Sequence, residues 1–125
     1  MKNLGKLAAL IVGLVSLVLG LGAWIHPAQL GDMIGLQGIG VLGEHSLRGD
    51  IGAVFLGSAL GCAIALFKGK AAGMKLPIIL YGLVLIGRLL SLILSGTAPD
   101  VYQPIIIEVV FIALSYFAYK QMKSA

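Results

Sequence analysis

Four largely apolar runs, each close to 20 residues long, constrain the fold of this chain more than any other feature. A helix rises about 1.5 Å per residue and needs about 20 apolar residues to cross the hydrocarbon core of a bilayer. A backbone in lipid has no water to satisfy its polar groups, so runs of this length form helices. We therefore expect an all-α, integral membrane four-helix bundle. Its spans are predicted at residues 7–25, 46–67, 76–94 and 101–119.

The composition agrees with a membrane protein and narrows the kinds of site that the chain can carry. Of the 125 residues, 59% are hydrophobic and 11% are charged, which leaves too few polar residues to cover a water-soluble core. We expect residues 1–125 to form a single domain. Cys62 is the only cysteine, and the sequence has no metal-binding spacing or dinucleotide motif, so we expect no metal and no cofactor. The basic residues are scattered rather than gathered on one face, which argues against nucleic acid as a partner.

The basic residues outside the spans predict the orientation. Lysines precede the first span, lie between the second and third, and follow the fourth, whereas the other two connections contain neither Lys nor Arg. The positive-inside rule then places both termini and the middle connection in the cytoplasm. We expect an up-down, multi-pass protein of the cell inner (plasma) membrane. A cleaved signal peptide is the competing interpretation of the first span, but its apolar run exceeds the usual ~7 to 15 residues and lacks a clear A-x-A site.

Small residues predict how the helices pack, because helices in lipid associate through close contact rather than through apolar transfer from water. One series recurs at every fourth position of the second span, and another follows a heptad-like spacing in the first. We expect both series of small residues to form helix contacts within the bundle. The same surfaces could also pack against a second copy of the chain in a homo-oligomer. The first series is Gly49, Ala53, Gly57, Gly61 and Ala65, and the second is Ala9, Gly13, Ser16, Gly20 and Ala23.

Charged residues inside the spans mark the candidate site. A charge at mid-bilayer costs at least ~2.5 to 3.5 kcal/mol, so each one needs compensation. Arg88 lies eight residues before Gly96, and antiparallel third and fourth helices would place it level with a partner on the fourth. Glu108 lies eight residues after Asp100, so both side chains are expected about 12 Å below the same outer turn. Asp50, near the outward end of the second helix, is expected to join them.

The start of the second span places further charges within one turn. Glu44 and Arg48 are four residues apart and can pair along one helical face, while Asp50 is rotated ~200° from Arg48. Ser46 is expected to cap this helix. Two interpretations stay open: an ion-pair network that fixes the register of three helices, and a polar site that meets a ligand or partner. The candidate residues under both are Glu44, His45, Arg48, Asp50, Arg88, Ser91 and Glu108.

Three sequence markers resemble a known family. "LRGDIGAVFLGSALG" begins the second span, "LIGRLLSLILSG" lies in the third, and Glu108 lies in the fourth. Together they resemble the bacterial four-helix membrane proteins grouped as domain of unknown function 4345, over most of the chain from about Pro27. The resemblance implies a four-helix integral membrane fold and carries no activity. The layout is more distantly similar to the small membrane scaffold of sterol biosynthesis and to DoxX-like proteins, through a polar helix start and a Gly-Thr-Ala turn.

Three functional classes fit these features. The leading hypothesis is a binding, scaffold or accessory protein that holds a lipid-like molecule or a partner membrane protein against the charges around Arg88. The second class is a small transporter or proton-coupled carrier through Glu108. However, the first span has no charge, whereas the small multidrug-resistance proteins place an acidic residue there. The third class is an isomerase-type membrane enzyme with Asp50 or Glu108 as acid or base. No nucleophile and base pair is apparent, so we assign no catalytic residue.

Overall fold

The computed structural model describes residues 1–124, which are almost entirely helical and contain no strand. Four helical stretches are long and apolar enough to cross a membrane. The expected all-α class and the expectation of a multi-pass membrane protein are therefore confirmed. The first span is Lys2–Ile25, the second is Gly40–Lys68, the third is Ala71–Leu94 and the fourth is Pro99–Lys123.

The spans are arranged in a ring. Each span packs against the next one along the chain, and the first also packs against the fourth. The contact between the first and second spans is close, because a Cβ placed on Gly13 would lie 2.9 Å from the Cβ of Cys62. Across the centre of the ring, the hydroxyls of Ser16 and Tyr81 form a buried hydrogen bond of 2.6 Å. This bond joins the first span to the third, which are not neighbours in the ring.

The second span begins at Gly40, six residues earlier than predicted. The glycine-rich stretch is therefore only partly a loop, and the prediction that Ser46 caps the helix is wrong, because Ser46 lies inside it. Glycine has low helix propensity, but here a contact between the loop and the first helical turn outweighs it, and the helix begins at Gly40. A Cβ on Gly38 would lie 2.9 Å from the carbonyl carbon of Gly43, so only glycines allow the loop to pack this closely on the first helical turn.

A π-helical turn, Leu47–Ile51, interrupts the second span. The regular part of the helix continues from it as Gly52–Lys68. The turn packs against the first span and against the short helix that follows that span. Because a π turn contains more residues than an α turn, the directions of the side chains at its start cannot be counted at 100° per residue. This turn was not predicted.

A short connecting helix, Pro27–Ile34, was also not predicted. Its sequence carries the usual signals, because Pro27 occupies the first turn, where a missing N–H is harmless. The residue before a proline avoids the α region, and His26 accordingly ends the first span with φ −129° and ψ 65°. Gly35 ends the connecting helix in the left-handed region at φ 79°, and the N–H of Leu36 donates to the carbonyl of Gly31 at 2.7 Å.

The two ends of the bundle differ in charge. At one end, Gly5 meets Gln121 and the Nζ atoms of Lys75 and Lys123 lie over the same Tyr119 ring. We call this the lysine end, and the opposite one the acidic end. The lysine end carries Lys2, Lys6, Lys68, Lys70, Lys75, Lys120 and Lys123. The acidic end carries Asp32, Glu44, Asp50 and Asp100 together with Arg48, and Arg88 and Glu108 lie deeper in the same half.

Candidate functional site

An ion pair between the third and fourth spans forms the centre of the candidate site. Arg88 Nε donates to Glu108 Oε2 at 2.9 Å, so the pairing predicted from their equal depth is present. The Glu108 side chain is 10% exposed and that of Arg88 is 31% exposed. The other carboxylate oxygen, Oε1, is buried and has no hydrogen-bond partner within residues 1–124. The glutamate therefore lies inside the bundle, while the arginine reaches its surface.

A cleft of about 400 Å³ lies beside this pair, between the acidic-end parts of the third and fourth spans and their connection. Arg88, Ser91 and Ser95 line it at helical spacings of three and four residues, which places them on one face of the third span. Thr97 adds a hydroxyl, which donates to the hydroxyl of Tyr102 at 2.7 Å. The remaining side chains are mostly apolar and include Val84, Leu92, Val101 and Ile105.

A second ion pair lies at the start of the second span. Arg48 Nη1 is 3.7 Å from Glu44 Oε2, and both side chains are about half exposed, at 45% and 57%. Arg48 also binds the end of the first span, because its Nε donates to the carbonyl oxygen of Trp24 at 2.9 Å. Trp24 returns a bond from its Nε1 to the carbonyl oxygen of Arg48 at 3.1 Å. Arg48 therefore links the start of the second span to the end of the first, and it does not line the cleft beside Arg88.

Asp50 does not join the Arg88 pair. It is exposed, forms no ion pair within the described residues, and lines a separate hollow of about 360 Å³ with Gln37 and Ser46. The expected three-helix cluster is thus divided, and the physical reason is packing. The π turn that carries Asp50 is held against the first span, whereas Arg88 lies between the third and fourth. His45 is exposed on the second span and lies outside the cleft lining.

Sequence reasoning missed Ser95, Thr97 and Trp24. A signal for Ser95 was present, because it follows Ser91 by four residues and Arg88 by seven, which keeps all three on one helical face. Thr97 enters the cleft only through the fold of the connection between the spans. Trp24 lies at the end of the first span, and its bond to the Arg48 carbonyl oxygen has no sequence signal.

The two series of small residues are used inside the chain. Gly13 and Gly20 of the first span meet Cys62 and Leu56 of the second. Gly61 of the second span meets the backbone of the third, where a Cβ would collide with the Gly73 carbonyl oxygen. The first-span series and the later part of the second-span series therefore form helix contacts within one copy of the chain. At the start of the second span the prediction fails, because Gly49 has nothing within 4 Å and Ala53 is exposed.

The polar groups that line the cleft can donate hydrogen bonds to a ligand. Arg88 commits Nε to Glu108, and its two Nη groups have no hydrogen-bond partner within residues 1–124, so they can donate to a carbonyl, hydroxyl, phosphate or carboxylate oxygen. Because the pair is neutral as a whole, the ligand itself need not be an anion. In the part of the chain that the structure describes, the His, Cys, Asp and Glu side chains form no group of three that could hold a metal ion.

No family model, curated relative or solved structure matches this chain. The resemblance to the four-helix proteins of unknown function therefore stays a prediction, which rests on Arg48, Asp50, Arg88 and Glu108.

Proposed function

We propose that this chain is an inner-membrane binding or accessory protein, which holds a lipid-like molecule in the cleft beside Arg88. The observation that carries the proposal is the composition of that cleft. A guanidinium with free donors and the hydroxyls of Ser91, Ser95 and Thr97 lie along the cleft, and apolar side chains complete the lining. A molecule with both a polar and an apolar part satisfies both kinds of side chain, and a purely polar or purely apolar one does not.

The depth of Arg88 supports an amphiphile rather than a small polar solute. Arg88 lies seven residues, or about 10 Å, further into the third span than Ser95. A polar group that binds at this depth must leave water, and the unpaired donors of the guanidinium offset that cost. The hydroxyl of Ser91 lies between the two residues along the same face. A polar headgroup can therefore reach Arg88 through successive hydrogen bonds while its hydrocarbon part stays in lipid.

We further propose an up-down topology with the lysine end in the cytoplasm. The support is the separation of charge, since all seven lysines lie at one end and all five acidic residues belong to the other half. Lysine near a span end favours the cytoplasmic side. Under this topology both termini are cytoplasmic, and the Arg88 cleft belongs to the outer half of the membrane. The ligand would then come from the outer leaflet.

The test compares the two ion pairs. The Arg88→Leu, Glu108→Leu double variant replaces the pair beside the cleft, and Glu44→Leu, Arg48→Leu replaces an exposed pair of the same residue types. Each protein is purified in mild detergent, checked for folding by circular dichroism and gel filtration, and extracted for lipid mass spectrometry. We expect the wild type and the Glu44, Arg48 variant to retain the same amphiphile and the Arg88, Glu108 variant to lose it. Equal occupancy in a folded Arg88, Glu108 variant would reject the ligand site.

A proton-coupled carrier is the second candidate, and one observation favours it. Glu108 Oε1 is buried without a hydrogen-bond partner in the described residues, as expected for a carboxyl group that binds and releases a proton. The protein is reconstituted in vesicles with a pH gradient and an enclosed pH-sensitive dye. A carrier would dissipate the gradient, and Glu108→Gln would prevent this. A binding protein would leave the gradient intact in both cases.

A further inference from the structure

The lysine end contains a site that the proposed cleft does not use. Lys75 Nζ lies 5.8 Å from the centre of the Tyr119 ring, and Lys123 Nζ lies 5.4 Å from the same centre. The two lysines belong to different spans, because Lys75 begins the helix of the third and Lys123 ends that of the fourth. Next to them, Lys120 Nζ lies 5.7 Å from the centre of the Tyr116 ring.

These ammonium groups have no anionic partner within residues 1–124. The two ion pairs within residues 1–124 are both formed by arginines, and every acidic residue of the chain belongs to the other half of the bundle. An aromatic ring attracts a cation but does not neutralise its charge. Two ammonium groups over one ring repel each other, so their shared position is favourable when an anion lies between or beside them.

We propose that Lys75, Lys123 and Tyr119 form a site for the phosphate headgroup of an anionic phospholipid in the leaflet at the lysine end. A phosphate group has several oxygens that accept hydrogen bonds from ammonium groups, and the charges are complementary. The source of the phosphate is a lipid rather than a free ion because apolar side chains adjoin the site. Ile79 and Leu83 follow Lys75 by four and eight residues, close to the same face of the third span, and both are exposed, so an acyl chain can lie there.

The test measures retained lipid by native mass spectrometry of protein released from vesicles of phosphatidylcholine, with and without phosphatidylglycerol. We expect the wild type to retain phosphatidylglycerol preferentially. Lys75→Gln with Lys123→Gln should weaken this retention roughly tenfold or more, because the variant removes both ammonium groups that would bind the phosphate. The matched control, Lys2→Gln with Lys68→Gln, removes the same charge from the same end but does not touch Tyr119. It should weaken retention by less than about threefold if the site is local.

Three further results decide the proposal. Tyr119→Leu keeps both lysines, and it should lower retention because the ring no longer positions them. Inorganic phosphate added in excess should not displace the lipid, and if it does, the site binds a free ion and the lipid assignment is wrong. Equal losses in the two lysine double variants would show a diffuse positive surface and overturn the site. Circular dichroism in detergent confirms that each variant is folded, and none of these residues touches the Arg88 cleft.

Discussion

The two halves of the bundle are built differently. In the half near the lysine end, small and apolar residues from all four spans form one buried core. In the half near the acidic end, the third span has little cover, and a Cβ on Gly87 would have nothing within 4 Å. In the most apolar 18-residue stretch of the third span, 11% of the residues are buried inside the bundle. In the corresponding stretch of the first span, 33% are buried. The core consists of Ala8, Ala9, Val12, Cys62, Ala65, Met74, Tyr81, Phe111 and Ala118.

This difference separates the part that holds the fold from the part that carries polar chemistry. Helices in lipid are held by close contact, and the lysine half supplies it with small residues. The acidic half has both ion pairs, the cleft and the π turn, and its part of the third span is open around Gly87. Stability and binding can therefore be changed separately, and each prediction below tests one side of that division.

The largest expected effect is at the buried ion pair of the acidic half. Arg88→Leu leaves the Glu108 carboxylate in the bundle without a partner, and removal of one member of a buried pair costs ~3 to 5 kcal/mol. Glu108→Leu should cost less, because the freed arginine is partly exposed and can turn toward the interface. The double Leu variant should recover most of the loss. Unfolding by sodium dodecyl sulfate measures all three free energies, and a double variant as unstable as the sum of the singles would show that the residues are not coupled.

The second largest loss of stability is expected where two helices pack closely, and a comparison of two glycines tests it. Gly61→Ala places a methyl group against the Gly73 carbonyl oxygen and 2.9 Å from Pro77 Cδ, so the second and third spans must separate. Overpacking of this kind costs ~1 to 3 kcal/mol. Gly87→Ala is the matched control on the open, acidic half of the third span, and it should be neutral or slightly stabilising because alanine has the higher helix propensity. Equal destabilisation by the two changes in the same unfolding assay would remove the distinction between the halves.

Most of the fold follows from the apolar runs, because lipid leaves a chain of this composition few alternatives to helices of about 20 residues. The helix ends follow less well. The fourth helix continues to Lys123, since polar residues extend a helix beyond the hydrocarbon without interrupting it. The early start at Gly40 and the π turn depend on contacts between segments, so no local pattern of the sequence contains them.

The site was predictable where one helix or one pair of helices decides the geometry. Counting residues from the outer turn placed Arg88 and Glu108 at one depth, and they form a hydrogen bond. The same counting failed for Asp50, because it assumed that the second span remains beside the third at its outer end. The π turn instead packs on the first span. Helix depth can therefore be read from sequence, but the helix that a side chain faces depends on packing.

A smaller effect is expected at the centre of the ring. The hydrogen bond between Ser16 and Tyr81 joins two spans that are not neighbours, and both side chains are buried. Ser16→Ala and Tyr81→Phe should each destabilise the protein. A double-mutant cycle should give a coupling of ~0.6 kcal/mol and no more than ~1.7 kcal/mol, the average and the largest value found for hydrogen bonds between membrane helices. Zero coupling would indicate that each hydroxyl finds another partner when its own is removed.

The smallest effect is expected at the exposed pair of Glu44 and Arg48. This pair consists of the same residue types as Arg88 and Glu108, where the largest effect is expected. Glu44→Gln removes the carboxylate charge near Arg48, but the two groups are 3.7 Å apart and about half exposed. Exposed pairs contribute ~0.2 to 1 kcal/mol, and Arg48 keeps its bond to the Trp24 carbonyl oxygen. We expect a loss below ~0.5 kcal/mol that shrinks further in high salt. A loss as large as that of Arg88→Leu would mean that Glu44 is shielded from water by a ligand or by another chain, and the acidic half would then hold a second binding surface on the second span.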